Sequence, residues 1–462
     1  MLTGLDLSNF KAWERIREMR LARLTGLFGT NSSGKSSILQ VLLMLKQTAD
    51  SPDRQQVLYL GEEKSERSLA VFGTFDDLLF KGAKQRSLDL KLSWRTLEEL
   101  VVADPEDDDA EPILSGSDIA IATSVGEDAQ GRLVVDEMAY EFAGCRFAMR
   151  PRPSSDGRTQ SKYDLSVESG PFSFKKSQGR PPEGLSPPVK FYGFPDQVRA
   201  AYQNAGFLSD LELEFERQMQ RTYYLGPLRE YPYRDYRWSG TEPMDMGRRG
   251  EKVVSALLSA AARGATVGKR RGKRQPLEAK VAWWLKELGL IHDFQVEPIN
   301  KESNLYRVSV RRSKSSARVL LPDVGFGVSQ VLPVIVLCFY VPEGSTILLE
   351  QPEIHLHPSV QQGLADVFID AIQTRGVQII VESHSEHLLR RLQRRVAEGK
   401  FNKDDAALYF CETPNGASTL TGLDLDLFGQ VRNWPRDFFG NELEDIAKSI
   451  EAGRKRRQKS EA

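Results

Sequence analysis

The sequence has few of the features that mark secreted or membrane proteins. Its 462 residues include only three cysteines, Cys145, Cys338 and Cys411, and no two of them form a C-x-x-C pair. No run of about 18 apolar residues is present to span a bilayer, and the first residues lack the basic and apolar regions of a secretory signal. Isolated cysteines are typical of a reducing compartment and indicate neither a disulfide framework nor a zinc site. The sequence therefore predicts a cytoplasmic chain with no membrane segment.

The chain also lacks an excess of either charge. Lysine and arginine together number 63 and aspartate and glutamate 64, so the formal net charge is -1, which argues against a surface coated for non-specific nucleic-acid binding. Two local basic runs, residues 269–274 and 454–459, have the composition of a phosphate-backbone contact, but solvated loops and chain ends often have it too. The acidic run 104–109 has no turn glycine or further ligand at calcium-loop spacing, so we expect an exposed loop there.

One octapeptide carries most of the functional information. Residues 29–36 follow the pattern G-x-x-x-x-G-K-[ST], and they are Gly29, Thr30, Asn31, Ser32, Ser33, Gly34, Lys35 and Ser36. In such a phosphate loop, backbone N–H groups surround the phosphates of a nucleotide, the lysine contacts the same phosphates and the serine hydroxyl binds Mg²⁺. The alternative interpretation is a surface turn, rich in glycine and serine, before an amphipathic helix.

The flanking sequence favours the phosphate loop over a surface turn. The apolar run 24–28 predicts a buried strand before the loop, and the apolar residues of 37–46 predict a helix after it. A strand, a glycine-rich loop and a helix N-terminus in this order aim the helix dipole at a bound phosphate. ATP or GTP is therefore the first ligand to consider.

Two further apolar segments end in side chains that suit this chemistry. Residues 345–350 predict a buried strand that ends in Glu350, and nucleoside triphosphatases place a Mg²⁺-binding acid beside the phosphate loop in this way. Residues 377–381 predict a second strand, which is soon followed by His384. The carboxyl ends of strands face the crevice in which α/β sheets bind ligands. A histidine that only satisfies the strand end is the alternative.

The chain divides into three regions by composition. Residues 1–95 contain the phosphate loop and two apolar segments, 69–72 and 88–92, that predict strands. Residues 96–275 are rich in turn signals, and residues 276–462 alternate helix-like and strand-like segments. We therefore expect an α/β fold with an inserted, partly β, accessory region between the two halves of an ATPase head.

The motifs together resemble the ABC-type ATPase heads of the SMC, RecF and OLD group. They are most similar to the compact bacterial AAA-family ATPases that have no long coiled coil and often lie in anti-phage or restriction loci. The resemblance is carried by residues 9–11, 29–37, 323–330, 350–358 and 382–385, with further similarity in 224–229 and 433–439.

The resemblance implies a P-loop NTPase head of the ABC type with ATP and Mg²⁺ as cofactors. It assigns nucleotide contacts to the phosphate loop and Ser37, the Mg²⁺ ligands to Ser36 and Glu350, and the γ-phosphate switch to His384. It also implies a signature segment that closes over the ATP of another subunit in a head-to-tail dimer or higher oligomer. The residues of this segment are Gly325, Phe326, Gly327, Val328, Ser329 and Gln330.

The sequence departs from the family pattern where the attacking water is activated. Gln351 occupies the position that usually holds a glutamate, and a neutral amide can orient a water molecule but cannot accept its proton. Glu353 either replaces the missing base or braces the loop, and slow hydrolysis is a third alternative. Lys35, Glu350, Gln351, Glu353 and His384 are the expected catalytic residues.

Two smaller departures also matter. Gly325 stands where a signature of this type usually begins with serine. His355 and His357 have no nearby third ligand, so they are a weak signal for zinc. The residues after 400 have no acidic cluster like that of the Toprim nuclease domain of OLD proteins, so we expect any nuclease to be a separate chain.

Three functions agree with these observations. The first is an ATPase whose nucleotide-driven dimer controls a separate effector, a nuclease or a toxin, in anti-phage defence. The second is a RecF-like, DNA-binding ATPase of repair. The third is an ATP-binding scaffold that does not hydrolyse its nucleotide. Direct binding of DNA is an open alternative, and no membrane partner is expected.

Overall fold

The computed structural model describes the chain apart from residues 66, 104–110, 153–161, 178–183, 269–271, 273, 301–302, 436–447, 454–455 and 457–462. The acidic run and most of the two basic runs lie outside the described residues.

The strands of the described chain fall into four sheets. In chain order they are β1 (Leu2–Phe10), β2 (Trp13–Arg20), β3 (Leu24–Gly29), β4 (Ser87–Val102), β5 (Leu114–Glu127), β6 (Leu133–Phe142), β7 (Cys145–Pro151), β8 (Tyr163–Ser169), β9 (Thr222–Leu225), β10 (Tyr236–Arg237), β11 (Thr266–Val267), β12 (Gln275–Pro276), β13 (Asp293–Pro298), β14 (Leu305–Arg311), β15 (Arg318–Leu320), β16 (Thr346–Glu350), β17 (Gln378–Glu382), β18 (Ala406–Glu412) and β19 (Thr419–Gly422).

The α-helices connect and cover these sheets. They are α1 (Lys35–Asp50), α2 (Phe75–Leu78), α3 (Gln197–Ala201), α4 (Leu208–Gln220), α5 (Val253–Ala262), α6 (Leu277–Glu287), α7 (Phe326–Tyr340), α8 (Pro358–Arg375) and α9 (Glu386–Ala397). Within the described ranges, no helix combines the length and the apolar character needed to cross a membrane.

The central sheet has the strand order β19-β18-β3-β17-β16-β9. β9, β16, β17, β3 and β18 are parallel, and β19 is antiparallel to β18. Every residue of β3, β16 and β17 is buried, as expected for parallel strands that are covered on both faces. The strands predicted around residues 24–28, 345–350 and 377–381 are confirmed.

The two faces of this sheet pack into separate hydrophobic cores. Leu348 of β16 belongs to the core on one face, while its neighbours Ile347 and Leu349 belong to the core on the other. This alternation follows from the two-residue period of a strand. The first core also contains α1, α4 and the interior of the second sheet, and the second core contains α5 to α9.

The second large sheet is antiparallel, with the order β2-β1-β4-β5-β6-β7-β8. Residues 87–94 of β4 alternate between buried and partly exposed positions, which is the pattern of a sheet with one face toward a core. A smaller sheet of β10, β14, β13 and β15 and the β11–β12 pair complete the fold.

The domain boundaries expected from composition differ from this architecture at two places. Residue 95 falls inside β4, which pairs with both β1 and β5, so the accessory strands extend the sheet that starts before the phosphate loop. β9 lies within the region expected to be accessory, yet it pairs with β16 in the central sheet. Composition predicts neither pairing, because the strands that pair are far apart in the sequence.

The strand predicted at residues 69–72 was wrong. This segment forms no strand, and the backbone N–H groups of Leu69 and Ala70 donate to the side chain of Gln47 instead of to a neighbouring strand. Phe72 is nevertheless buried in the core. The apolar residues of this segment therefore indicate burial and not a strand.

A buried glutamine joins the antiparallel sheet to the central sheet. Gln378 donates to the carbonyl oxygens of Leu2 (2.7 Å) and Ala22 (2.9 Å), and it accepts from the Leu2 N–H (2.9 Å) and the Thr346 hydroxyl (3.0 Å). The side chain is fully buried, so its removal takes a hydrogen bond from several buried polar groups, the Leu2 N–H among them.

We expect Gln378→Ala to lower the free energy of unfolding by about 2–4 kcal/mol, because several buried polar groups lose their partner at once. Urea denaturation followed by circular dichroism measures this change. Gln373→Ala is the matched control, since Gln373 is exposed and donates to the Lys400 carbonyl. Equal midpoints for the two variants would contradict the assigned importance of Gln378.

Candidate functional site

The phosphate loop connects the end of β3 to the start of α1. Its first glycine, Gly29, has φ 137°, and a Cβ atom there would lie 2.0 Å from the carbonyl oxygen of Cys411 on β18. Its second, Gly34, has φ 84°. Glycine adopts such backbone conformations without steric cost. Both glycines of the motif are therefore required by the path of the loop.

The side chain of Lys35 folds back into the phosphate loop. Its Nζ donates to the carbonyl oxygens of Thr30 (2.6 Å) and Gly29 (3.2 Å) and to the Ser33 hydroxyl (3.3 Å). Burial lowers the pKa of this amine, although the nearby charge of Glu382 opposes the effect. The ammonium group is therefore held in the loop by weak, neutral acceptors, which a phosphate can replace with stronger charge-assisted bonds.

The turn between β1 and β2 packs on the phosphate loop. The Trp13 indole N–H donates to the Gly34 carbonyl (2.9 Å), and the Lys11 ammonium donates to Gln40 of α1 (2.6 Å). Sequence reasoning noted Lys11 only as part of a resemblance and gave it no function. Nothing in the sequence around Gln40 and Trp13 predicts that they belong to the site. Their importance arises from contacts between the hairpin of β1 and β2 and the phosphate-loop region.

A cavity of about 590 Å³ opens above the loop. It brings together most of the predicted phosphate-loop residues with Gln351 and His384. The lining residues are Lys11, Ala12, Asn31, Ser32, Ser33, Gly34, Lys35, Ser36, Ser37, Gln40, Gln351, Glu382 and His384.

Glu382, which sequence analysis left without a function, contacts the proposed metal ligand Ser36. The Ser36 hydroxyl donates to Glu382 Oε1 (2.9 Å), and Glu382 Oε2 is buried without a hydrogen-bond partner. β17 lies between β3 and β16, so its terminal acid is nearer to the phosphate loop than the predicted ligand Glu350. The two acids are aligned in the register of β16 and β17.

These oxygen atoms fit a hard divalent cation. Mg²⁺ prefers oxygen ligands and commonly combines one or two carboxylates with substrate phosphates and water. In the described parts of the chain, no group of three or more histidine, cysteine, aspartate or glutamate side chains forms a metal cluster. Ser36, Glu382 and Glu350 would hold such an ion, with phosphate oxygens completing its coordination.

Glu350 is buried behind the cavity. Burial, and then the charge of Glu382, raise the pKa of its carboxyl to about 7, while a hydrogen bond from the Tyr224 hydroxyl lowers it. Burial also raises the pKa of Glu382. Two neighbouring buried acids favour a bound cation, since each disfavours ionisation of the other.

The loop after β16 has an unusual backbone. Gln351 and His355 have φ values of 43° and 61°, which non-glycine residues rarely adopt. The Gln351 N–H donates to the Glu382 carbonyl (2.9 Å), which fixes the backbone of this loop on the end of β17. Such conformations cluster at binding sites, where surrounding contacts hold them.

Glu353 and His384 are linked through the backbone. Oε1 of Glu353 accepts the His384 N–H (2.6 Å), and the carboxylate is buried outside the cavity lining. The His384 ring lines the cavity, and burial followed by the charge of Lys35 lowers its pKa. His357 instead caps α8, with Nδ1 2.8 Å from the Ser359 hydroxyl.

The signature segment, residues 325–330, lies at the beginning of α7. Gly325 has φ 63°, and the helix starts at the next residue. Among the described residues that line the cavity, none comes from this segment. One chain therefore places the phosphate loop, Gln351, Glu382 and His384 together, and leaves the signature segment apart.

Comparison with known families identifies an ATPase domain. Residues 277–389, which include the signature segment, β16 and β17, match the family model described as AAA ATPase domain. Residues 401–448 match a model described as a protein of unknown function, DUF3696. The comparison with curated proteins gives no significant match.

Several solved structures show a distant likeness. The SMC head domain from Thermotoga maritima is 12% identical with a TM-score of 0.42, covering 92% of this chain and 99% of that one. The Smc head domain derived from Pyrococcus furiosus, solved with the C-terminal domain of ScpA, is 11% identical with a TM-score of 0.45, covering 98% and 99%. These values are too low to support a conclusion on their own.

The family match agrees with the features that the structure itself presents: a central, mainly parallel sheet, a phosphate loop after β3, and acids at the ends of the neighbouring strands. The predicted fold class, a P-loop NTPase head with a partly β accessory region, is confirmed. Residues 277–389 therefore match an AAA ATPase domain, within a chain that has the fold of a P-loop NTPase head.

Proposed function

We propose that this chain binds ATP with Mg²⁺, hydrolyses it slowly, and uses nucleotide-driven, head-to-tail dimerisation to control a separate effector in bacterial anti-phage defence. The observation that carries the proposal is the division of the site. The cavity contains the phosphate loop, Glu382 and His384, while the signature segment lies elsewhere in the same chain.

The cavity suits a nucleoside triphosphate. Lys35 and Lys11 supply positive charge from two sides, and the N-terminus of α1 points N–H groups into the same space. The hairpin contact from Trp13 to Gly34 holds the loop in shape before a ligand arrives. Preorganised donors of this kind raise affinity because little ordering remains to be done on binding.

The groups that face the cavity support slow hydrolysis. Gln351 lines the cavity and is neutral, so it can orient a water molecule but cannot accept its proton. Glu353 contacts the backbone of His384 from a buried position, which favours a bracing role over that of a base. Glu382 is the acid in the lining, and it contacts the proposed metal ligand Ser36.

The start of α7 supports a shared site. A helix N-terminus preceded by Gly325 offers backbone N–H groups and allows close approach to a phosphate. A head-to-tail pair would place this segment of each subunit over the cavity of the other, so two subunits would form two complete sites.

The effector and the defence function rest on the resemblance to compact bacterial AAA-family ATPases. The effector would be a nuclease or toxin encoded as a separate chain. A RecF-like DNA-binding function is the alternative. A scaffold that binds ATP without cleaving it is favoured by one observation, the neutral Gln351.

We expect Lys35→Ala to abolish ATP binding and phage protection while the fold is kept, because the loop loses its only lysine. Calorimetric titration with ATP and a plaque assay of cells that carry the gene with its neighbours measure the two effects. Lys84→Ala, at an exposed position, is the control. Unchanged ATP affinity in Lys35→Ala would remove the phosphate-loop interpretation.

We expect specific ATPase activity to rise with protein concentration, since each complete site needs two subunits.

Mixing two inactive variants tests the shared site more directly. Lys35→Ala and Gly327→Asp chains should each be inactive alone, yet their mixture should recover activity, because a heterodimer contains one intact pair of half-sites. The backbone at Gly327 accepts a side chain without a severe clash, since a Cβ atom added there would lie 3.4 Å from Leu290 Cδ2, its nearest neighbour. Failure to recover activity in a mixture shown to contain heterodimers would contradict the shared site.

We expect Gln351→Glu to accelerate turnover by about two to four orders of magnitude, the usual effect of adding a general base. Gln351→Ala should keep ATP affinity and change turnover much less. Phosphate release at saturating ATP measures both. If Gln351→Glu hydrolyses ATP at the native rate, the native site already has an effective base and slow hydrolysis is not a property of this loop.

A further inference from the structure

The loop that follows β9 places a buried arginine beside the catalytic acids. Arg229 is four residues beyond the end of β9, the strand next to β16 in the central sheet. Its side chain is 7% exposed, and Nε, Nη1 and Nη2 are all buried without a hydrogen-bond partner. A buried guanidinium without a partner is costly and rare in folded proteins.

The groups around Arg229 are those of the nucleotide site. Tyr224, Glu350 and Glu353 interact with it electrostatically, and burial lowers the pKa of the guanidinium to about 10. Glu353 uses Oε1 for the His384 N–H, and its Oε2 is buried without a partner. Arg229 and Glu353 are thus complementary groups that do not pair.

The same loop contacts two other parts of the chain, the residues before α5 and the residues just before the signature segment. The N–H groups of Gly226 and Glu230 donate to the carbonyl oxygens of Arg248 and Arg249. Arg234 forms an ion pair with Asp323 (2.8 Å), two residues before Gly325. One ion pair therefore links the loop of Arg229 to the residues that precede the signature segment.

We propose that Arg229 is a positioning residue for ATP hydrolysis, whose guanidinium pairs with Oε2 of Glu353 in the closed, nucleotide-bound site. The pair fixes the loop of Gln351 and the backbone of His384 beside the γ-phosphate. Docking of a second subunit on α7 is the event that brings the two groups together. This inference rests on the proposed function.

Loss of Arg229 should not lower the thermal stability of the free chain. In the free chain Arg229 has no hydrogen-bond partner, so replacing it with an apolar residue of similar length removes a buried, unpaired charge. Arg229→Met should therefore melt at the native temperature or above it, while its turnover falls by about two orders of magnitude at nearly native ATP affinity. Arg217→Met is the matched control, because Arg217 is 64% exposed on α4 and pairs with Glu214 nearby. It should change neither quantity.

Two further measurements separate positioning from a structural effect. Glu353→Gln should lose as much turnover as Arg229→Met. The double variant should lose no more than either single variant, because all three remove the same interaction. Added guanidinium ion should restore part of the turnover of Arg229→Ala but none of that of Glu353→Gln.

Three outcomes would overturn the inference: a lower melting temperature of Arg229→Met with a parallel loss of activity, additive losses in the double variant, or native turnover in Arg229→Met. The proposed function fails separately, if the native chain neither binds ATP nor releases phosphate from it.

Discussion

The proposed nucleotide site depends on one constraint, the crowding of three buried glutamates at the carboxyl ends of two adjacent strands. Glu350, Glu353 and Glu382 all lie below one-tenth exposure, and burial raises the pKa of each. Isolated ionised carboxylates are too costly to bury without donors or cations. The nearby Lys35 and Tyr224, together with the Ser36 hydroxyl, are the compensation that the free chain provides. A bound cation would supply the remaining positive charge that the buried carboxylates need.

The rest of the fold holds this arrangement in place. The parallel strands bring the acids to one edge, while the hairpin of β1 and β2 fixes the phosphate loop from above. Gln378 joins the two sheets at the opposite end of β17 from Glu382. The same short strand therefore ends in a structural contact on one side and a ligand-binding acid on the other.

Sequence reasoning predicted the parts of the site that are local. The phosphate loop, the strands that end at Glu350 and Glu382, and the position of His384 follow from short motifs and apolar runs. The partnership of Ser36 with Glu382, and the positions of Lys11 and Arg229, do not follow from them. They arise from the order of strands in the sheet and from a hairpin contact, and neither is encoded at a fixed spacing. The boundary expected at residue 95 falls inside β4 for the same reason, since the pairing of β4 with β1 cannot be read from the composition of either segment.

The place of β3 in the central sheet has a consequence for synthesis of the chain. β3 ends at residue 29, but its neighbours in the sheet are β17 and β18, which begin at residues 378 and 406. A ribosome that adds about 5–20 residues per second needs roughly 20–75 s to make the missing partners. Throughout that time a strand that is fully buried in the folded protein has both edges unpaired, which is the condition under which nascent chains aggregate. The phosphate loop is thus synthesised long before the two strands that flank β3, so a chain truncated before residue 378 carries the phosphate-loop sequence without the sheet that positions it.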